Sequence, residues 1–343
     1  MVSMIINSMI MPHITHANTI NSAEIVMELS TNRVVHSLNE NERKYMASTT
    51  KILTAITVIE NCNLSDVVEI RKEMTGIEGS SIYLEEGERL SVEDLLYGLM
   101  LRSGNDSAVA LALHCSESIE SFAQLMNQTA LKIGTKNSNF VNPHGLHNEN
   151  HYTTAYDLAL ISCYAMKNDT FRKIVGTKTI KIPFTTKNYD RLLINKNKML
   201  SEYEGSTGIK TGYTKKAGRC LVSSAKRNGI EFICVVLNCP PMFEKSKILL
   251  TNALNEYKNY KIVESDYILK FIEFNGKKYG TYIKNDIVLP LTKSEKENLN
   301  IKVEIENTLE KPIKKDQEIG YVKIYYQNNL LFTEKIYTIL DVK

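Results

Sequence analysis

No apolar run in this 343-residue chain approaches the ~18 residues of a membrane span, and its net charge is only +3. The first absence gives no support to a spanning helix. The second removes the basic footprint that a nucleic-acid partner would need. Internal repeats and low-complexity linkers are also missing. The six cysteines, at 62, 115, 163, 220, 234 and 239, are scattered rather than framed, so the chain is not a disulfide scaffold. Cys220 and Cys234 flank an Asn228-Gly229 turn signal. If those two residues form the turn, Cys220 faces Leu237 and Cys234 faces Ser223, which disfavours a directly opposed bridge. What remains is ordinary globular composition, 43% hydrophobic and 24% charged, at a length that suggests two domains.

Residues 1–20 read as a weak or truncated export signal, the alternative being a disordered tail. An apolar stretch at 4–11, interrupted by Asn7 and Ser8, leads to small residues at Thr15-His16-Ala17, but a basic leading region is lacking. Residues 24–38 then read as a hairpin, with Ile25-Val26-Met27 and Val34-Val35 around a Ser30-Thr31-Asn32 turn. A helix is predicted from near Ser48, with Ile52, Ile56 and Ile59 on one face. Ser91-Val92-Glu93-Asp94 has the form of a capping box, opening a helix that carries Leu95, Leu96 and Leu99. That helix breaks at Ser103-Gly104, and another begins at about Asp106. Further helices are expected over 117–133, 154–167 and 245–257, and antiparallel strands over 209–238.

Beyond Val263 helical periodicity fades. Short strands are predicted at 267–274, 302–306, 320–326 and 330–337, with turns at Asn275-Gly276 and Asn328-Asn329. The expected architecture is therefore α+β. An antiparallel sheet with a helical cluster occupies 21–260, and a small all-β domain follows over 263–343. A sheet that joins the N-terminal hairpin to the 209–238 strands brings Lys210 near Ser48.

Three strings carry chemistry: Ser48-Thr49-Thr50-Lys51, Ser103-Gly104-Asn105 and Lys210-Thr211-Gly212. Taken singly, each has a plain structural explanation. Ser48 serves as a helix cap and Lys51 as a solvated lysine. Asn105 or Asp106 caps a helix break. Lys210 lies on the surface and Gly212 in a turn. Taken together, in this order and setting, they supply what acyl transfer needs. Ser48 provides a hydroxyl nucleophile, and Lys51, one helical turn on, provides an amine to deprotonate it. The amine must be neutral, which burial near another cation such as Lys210 would favour. Ser103 can relay a proton to a leaving amine, and Asn105 can hydrogen-bond a substrate amide. Lys210 and Thr211 suit a small carboxylate. Gly212 lets an extended substrate lie against the strand, leaving the backbone N–H groups of Ser48 and Tyr213 for an oxyanion.

Around these strings the chain resembles the serine-type D-alanyl-D-alanine carboxypeptidases, the low-molecular-mass penicillin-binding proteins. Met126-Asn127, Asn142-Pro143-His144-Gly145-Leu146 and Gly208-Ile209-Lys210-Thr211-Gly212-Tyr213 read like that family. The segment from Lys311-Pro312-Ile313 to Gly320 resembles its C-terminal β-domain. The resemblance implies a penicillin-binding/β-lactamase-like transpeptidase fold and an exported enzyme acting on peptidoglycan stem peptides that end in D-alanyl-D-alanine. It implies Ser48 as the acylated nucleophile, Lys51 as its base and Ser103 as proton relay. Asn105, Lys210, Thr211, Gly212 and Tyr213 would bind substrate. β-Lactams would acylate the same serine, and no cofactor or metal is implied.

The chain departs from that pattern in two ways. Some members carry an arginine after the last core strand; here the segment is Pro240-Pro241-Met242-Phe243-Glu244-Lys245. Many end in an amphipathic anchoring helix, which the sequence up to Lys343 does not suggest, so membrane attachment stays open. Three rival readings fit the residues less well. A zinc site at His144, His147 and His151 falls in a Gly- and Asn-rich loop without a converging carboxylate. A class A β-lactamase needs a Glu-x-x-x-Asn element between Asn105 and Lys210 that is not found. A non-catalytic peptidoglycan-binding protein would have no use for intact Ser48, Lys51 and Ser103.

Overall fold

The structure, a computed structural model, describes residues 21–265, 267–274, 277–306 and 312–341. The expected export signal and the Asn275-Gly276 turn lie outside the described residues, as does Lys311. The larger unit runs β1 (Ala23–Glu28), β2 (Val34–Leu38), α1 (Lys51–Asn61), β3 (Val67–Glu69), β4 (Arg89–Ser91), α2 (Val92–Leu101), α3 (Asn105–Cys115), α4 (Ile119–Ile133), α5 (Ala155–Met166), α6 (Asp169–Gly176), β5 (Thr179–Ile182), β6 (Arg191–Ile194), α7 (Met199–Glu202), β7 (Ser206–Thr214), β8 (Gly218–Arg227), β9 (Ile230–Leu237) and α8 (Met242–Glu256).

Asn228 and Gly229 both have positive φ, 49° and 79°, the backbone of a tight hairpin turn that matches strand twist. That turn sets the β8–β9 register, in which Ser223 opposes Cys234 as the spacing predicts. The five-stranded antiparallel sheet has the order β2-β1-β9-β8-β7, so β7 is an edge. Every residue of β1 and β9 is buried, because both faces of the sheet are covered. Ile25, Met27, Ile233 and Val235 face a core shared with helices α1 to α6. Val26, Phe232, Cys234 and Val236 face a second core under α8.

A cap sets the start of the predicted α2. Ser91 Oγ accepts from the Asp94 N–H at 3.0 Å while the Ser91 N–H donates to Asp94 Oδ2 at 3.3 Å, which fixes the start of α2. The sequence had no signal strong enough for α6, the β5–β6 hairpin or the β3–β4 pair. α8 starts three residues earlier than the 245 expected. A disulfide, Cys62–Cys115, joins the C-terminal ends of α1 and α3, with Cα atoms 6.1 Å apart. The scattered spacing of the cysteines gave no sign of it.

The smaller unit is all-β apart from one turn of helix, α9 (Lys293–Glu297). Its strands are β10 (Lys258–Val263), β11 (Lys270–Phe274), β12 (Lys277–Tyr282), β13 (Ile287–Leu291), β14 (Leu299–Ile305), β15 (Glu318–Tyr326) and β16 (Asn329–Thr338). Its sheet order is β11-β12-β16-β15-β14, with β10 paired to β13. Val322, Ile324 and Ile336 belong to its separate core. The last hairpin turns on Gln327-Asn328 rather than Asn328-Asn329, and those two residues take positive φ.

Candidate active site

Ser48 lies in a short 3-10 turn, Ala47–Thr50, that runs directly into α1. Neighbouring hydroxyls pin the turn. Thr49 Oγ1 donates to the Met46 carbonyl at 2.6 Å and Thr50 Oγ1 to the Ala47 carbonyl at 2.8 Å. Gly145 sits so close that an added Cβ would come within 2.0 Å of the Ala47 oxygen, and its φ of +87° itself requires glycine. Gly212 plays the same part from the other side. A Cβ there would lie 3.1 Å from the Ser48 and Thr49 nitrogens. The two glycines of the sequence strings are thus what let a loop and an edge strand close on the serine.

Lys51 is fully buried, with its amine touching three oxygens. Asn105 Oδ1 lies at 2.7 Å, the His144 carbonyl at 2.6 Å and Ser48 Oγ at 3.2 Å. Burial holds this amine well below the usual lysine range, helped by the charge of Lys210 and opposed by Asp106. The two carbonyl oxygens can only accept. A neutral Lys51 therefore spends its two N–H donors on them and points its lone pair at the one partner that can also donate, the Ser48 hydroxyl.

Asn105 was expected to meet substrate, but its carboxamide is turned inward. It is 3% exposed, its oxygen receives Lys51, and its Nδ2 donates to the Glu78 carbonyl. Ser103 takes φ +64°, a left-handed conformation rare for serine. The next residue can then open α3 while the Ser103 hydroxyl lines the cleft. Asp106, weighed in the sequence only as a cap, is a buried hub. Its carboxylate accepts from Ser81 Oγ and from the Ile82, Leu84 and Ser107 N–H groups, which fixes the segment carrying Ser80.

Lys210 is 2% exposed and donates to the Thr211 carbonyl at 3.0 Å. Burial, then the charge of Lys196, lowers it to about 7. Ser48, Ser103, Thr211, Gly212 and Tyr213 line one cleft of about 320 Å³ together with Ser80, Lys196, Arg219, Met242 and Phe243. The last five were not singled out from sequence, because four come from segments remote from the three strings and Arg219 lies on the strand after them. A larger cleft of about 530 Å³, lined by Arg43, Tyr45, Tyr152 and Lys216, holds none of the three strings.

The histidines serve the scaffold. His151 accepts from the Val141 N–H at Nδ1, 3.1 Å, so its Nε2 carries the proton toward Thr50 Oγ1 at 2.8 Å. Burial lowers His151 to about 4 and His144 to about 3, so both are neutral, and His144 Nδ1 accepts from Leu146 N–H. His147 packs edge-on against Tyr45.

Residues 11–240 match the family described as D-alanyl-D-alanine carboxypeptidase, and residues 257–343 match the C-terminal domain of penicillin-binding protein 5. The chain is 31% identical over 333 residues to the D-alanyl-D-alanine carboxypeptidase DacF of Bacillus subtilis, covering 93% of this chain and 85% of the relative. Penicillin-binding protein 5 of Haemophilus influenzae superposes with a TM-score of 0.78 at 26% identity, over 95% of this chain and 99% of its own. DacD of Francisella tularensis, also named a D-alanyl-D-alanine carboxypeptidase, superposes at 0.72 and 26% identity, over 99% and 97%. The chain belongs to the serine D-alanyl-D-alanine carboxypeptidase family and has the penicillin-binding-protein fold.

Proposed function

We propose that this protein is a serine carboxypeptidase that removes the terminal D-alanine from peptidoglycan stem peptides by way of an acyl-Ser48 intermediate. The observation that carries this reading is the Lys51 amine, buried, held below its ordinary range and aimed at Ser48 Oγ. Lys51 takes the Ser48 proton as Oγ attacks the carbonyl of the penultimate D-alanine. The N–H groups of Ser48 and Tyr213 receive the oxyanion. Ser103 passes the proton to the departing D-alanine amine, and water then hydrolyses the ester. Asn105 and the His144 carbonyl position Lys51, while Thr211 and Gly212 on the β7 edge receive the extended substrate beside the buried Lys210 amine.

A β-lactam presents the same acyl group and acylates Ser48. No carboxylate lines the cleft among the described residues, so no acidic group stands ready to drive fast deacylation, which disfavours a β-lactamase. The Cys62–Cys115 bridge supports an exported, extracytoplasmic location, since such bonds persist in oxidising compartments. The catalytic unit is assigned to 21–260 and the β-domain to 263–343. Among the described residues no helix is long and apolar enough to cross a membrane.

The test is D-alanine release from an acyl-Lys-D-Ala-D-Ala tripeptide beside a Ser48→Ala control. Mass spectrometry of the benzylpenicillin adduct runs in parallel. Release and adduct that both vanish in Ser48→Ala are expected; no release from folded wild type would sink the reading.

A further inference from the structure

A substrate that ends in D-alanine brings a carboxylate into the cleft, and a carboxylate needs a cation or several donors. Lys210 serves this poorly alone. It is buried, already bonded to the Thr211 carbonyl, and only partly charged at neutral pH. Lys245, on the segment after the last core strand, is paired with Glu24 at 3.0 Å. Lys196 donates to Ser80 Oγ at 3.1 Å, and burial holds its amine below the usual lysine range.

Arg219 is the one guanidinium lining the cleft among the described residues. In the β7–β8 register Tyr213 opposes Arg219 and Thr211 opposes Leu221. Directly opposed residues share a face, so Thr211, Tyr213 and Arg219 project together, while Lys210 and Gly212 face the serine. The guanidinium lies over the Tyr213 ring, 5.2 Å from its centroid, in the cleft that Thr211 also lines. We infer that Arg219, on the strand next to the substrate-binding edge, is the cation that recognises the terminal carboxylate of the substrate. Its planar fork offers paired donors in a fixed geometry that matches a carboxylate. Thr211 Oγ1 then supplies a further bond, and Lys210 is left to tune the Ser48–Lys51 pair. This inference rests on the carboxypeptidase reading above.

The test measures kcat and KM for wild type, Arg219→Gln, Arg219→Lys and Lys196→Gln on the acyl-D-Ala-D-Ala tripeptide and on its terminal amide. Losing a charged hydrogen-bond partner costs about 10- to 100-fold. In Arg219→Gln that loss falls on KM for the acid, with the amide unchanged, so the acid-over-amide preference collapses. Arg219→Lys restores part of it. In Arg219→Gln the KM for the acid also climbs above about pH 7, as Lys210 loses its charge. The proposal is overturned if acid and amide fall together, if neither changes, or if the preference collapses in Lys196→Gln instead. Thermal melts of each variant separate misfolding from lost recognition. Wild type that releases no D-alanine fails the underlying reading, whereas active wild type with an unaltered Arg219→Gln fails this one alone.

Discussion

At the scale of residues, the protonation of Lys51 decides the chemistry. Its neutral fraction grows as pH rises through its lowered range, so kcat/KM climbs with pH along an acid limb and levels off once the amine is neutral. Asn105→Asp places a carboxylate against that amine and favours the ammonium form. The acid limb then moves up by about one unit or more, with lower activity at neutral pH. A pH profile of benzylpenicillin acylation reads this directly, and an unmoved limb would show that Asn105 does not govern Lys51. Ser48 and Lys51 were legible as a pair from their spacing. The direction of the Asn105 carboxamide was not, because it depends on Lys51 and the Glu78 carbonyl, which reach it from segments distant along the chain.

At the scale of elements, the site is where a turn, a loop and an edge strand meet, and glycines set how closely. Gly145→Ala would drive a methyl group against the Ala47 carbonyl in a backbone conformation hostile to alanine. Acylation by benzylpenicillin should fall at least about 100-fold, as misplacement of the nucleophile by even about 1 Å is costly. Far-ultraviolet circular dichroism should stay native-like; full acylation would contradict this account of the turn. The disulfide acts at the opposite ends of α1 and α3, whose beginnings carry Lys51 and Asn105. A Cys62→Ser, Cys115→Ser double variant should lose about 2–4 kcal/mol of stability. Chemical denaturation measures the loss, and an unchanged midpoint would mean that the bond is not formed in solution.

At the scale of the molecule, the two units own separate cores, and Arg33 reaches across to the Pro290 carbonyl at 2.9 Å and Glu295 at 3.3 Å. This pair is mostly buried, its side chains 15% and 14% exposed, but it touches none of the residues that line the cleft. A chain ending at Tyr257 should therefore keep kcat/KM on the soluble tripeptide within about twofold, while its action on intact cell-wall sacculi reports what the β-domain adds. A truncated chain that folds but cannot be acylated would show that the β-domain supports the site.

Periodicity, caps and turn chemistry are local, and so the sequence determined the hairpins, most helices, the α+β order and the Ser48, Lys51, Ser103 and Lys210 strings. The Asn228-Gly229 turn fixed the β8–β9 register without help from distant residues. What the tertiary structure decided came from contacts between segments far apart. It decided the Cys62–Cys115 pairing, the inward turn of Asn105, the buried Asp106 hub and the approach of Lys196 and Arg219 to Ser48. A side chain's neighbours across a sheet or helical cluster depend on how whole elements pack, and no spacing along one chain records that.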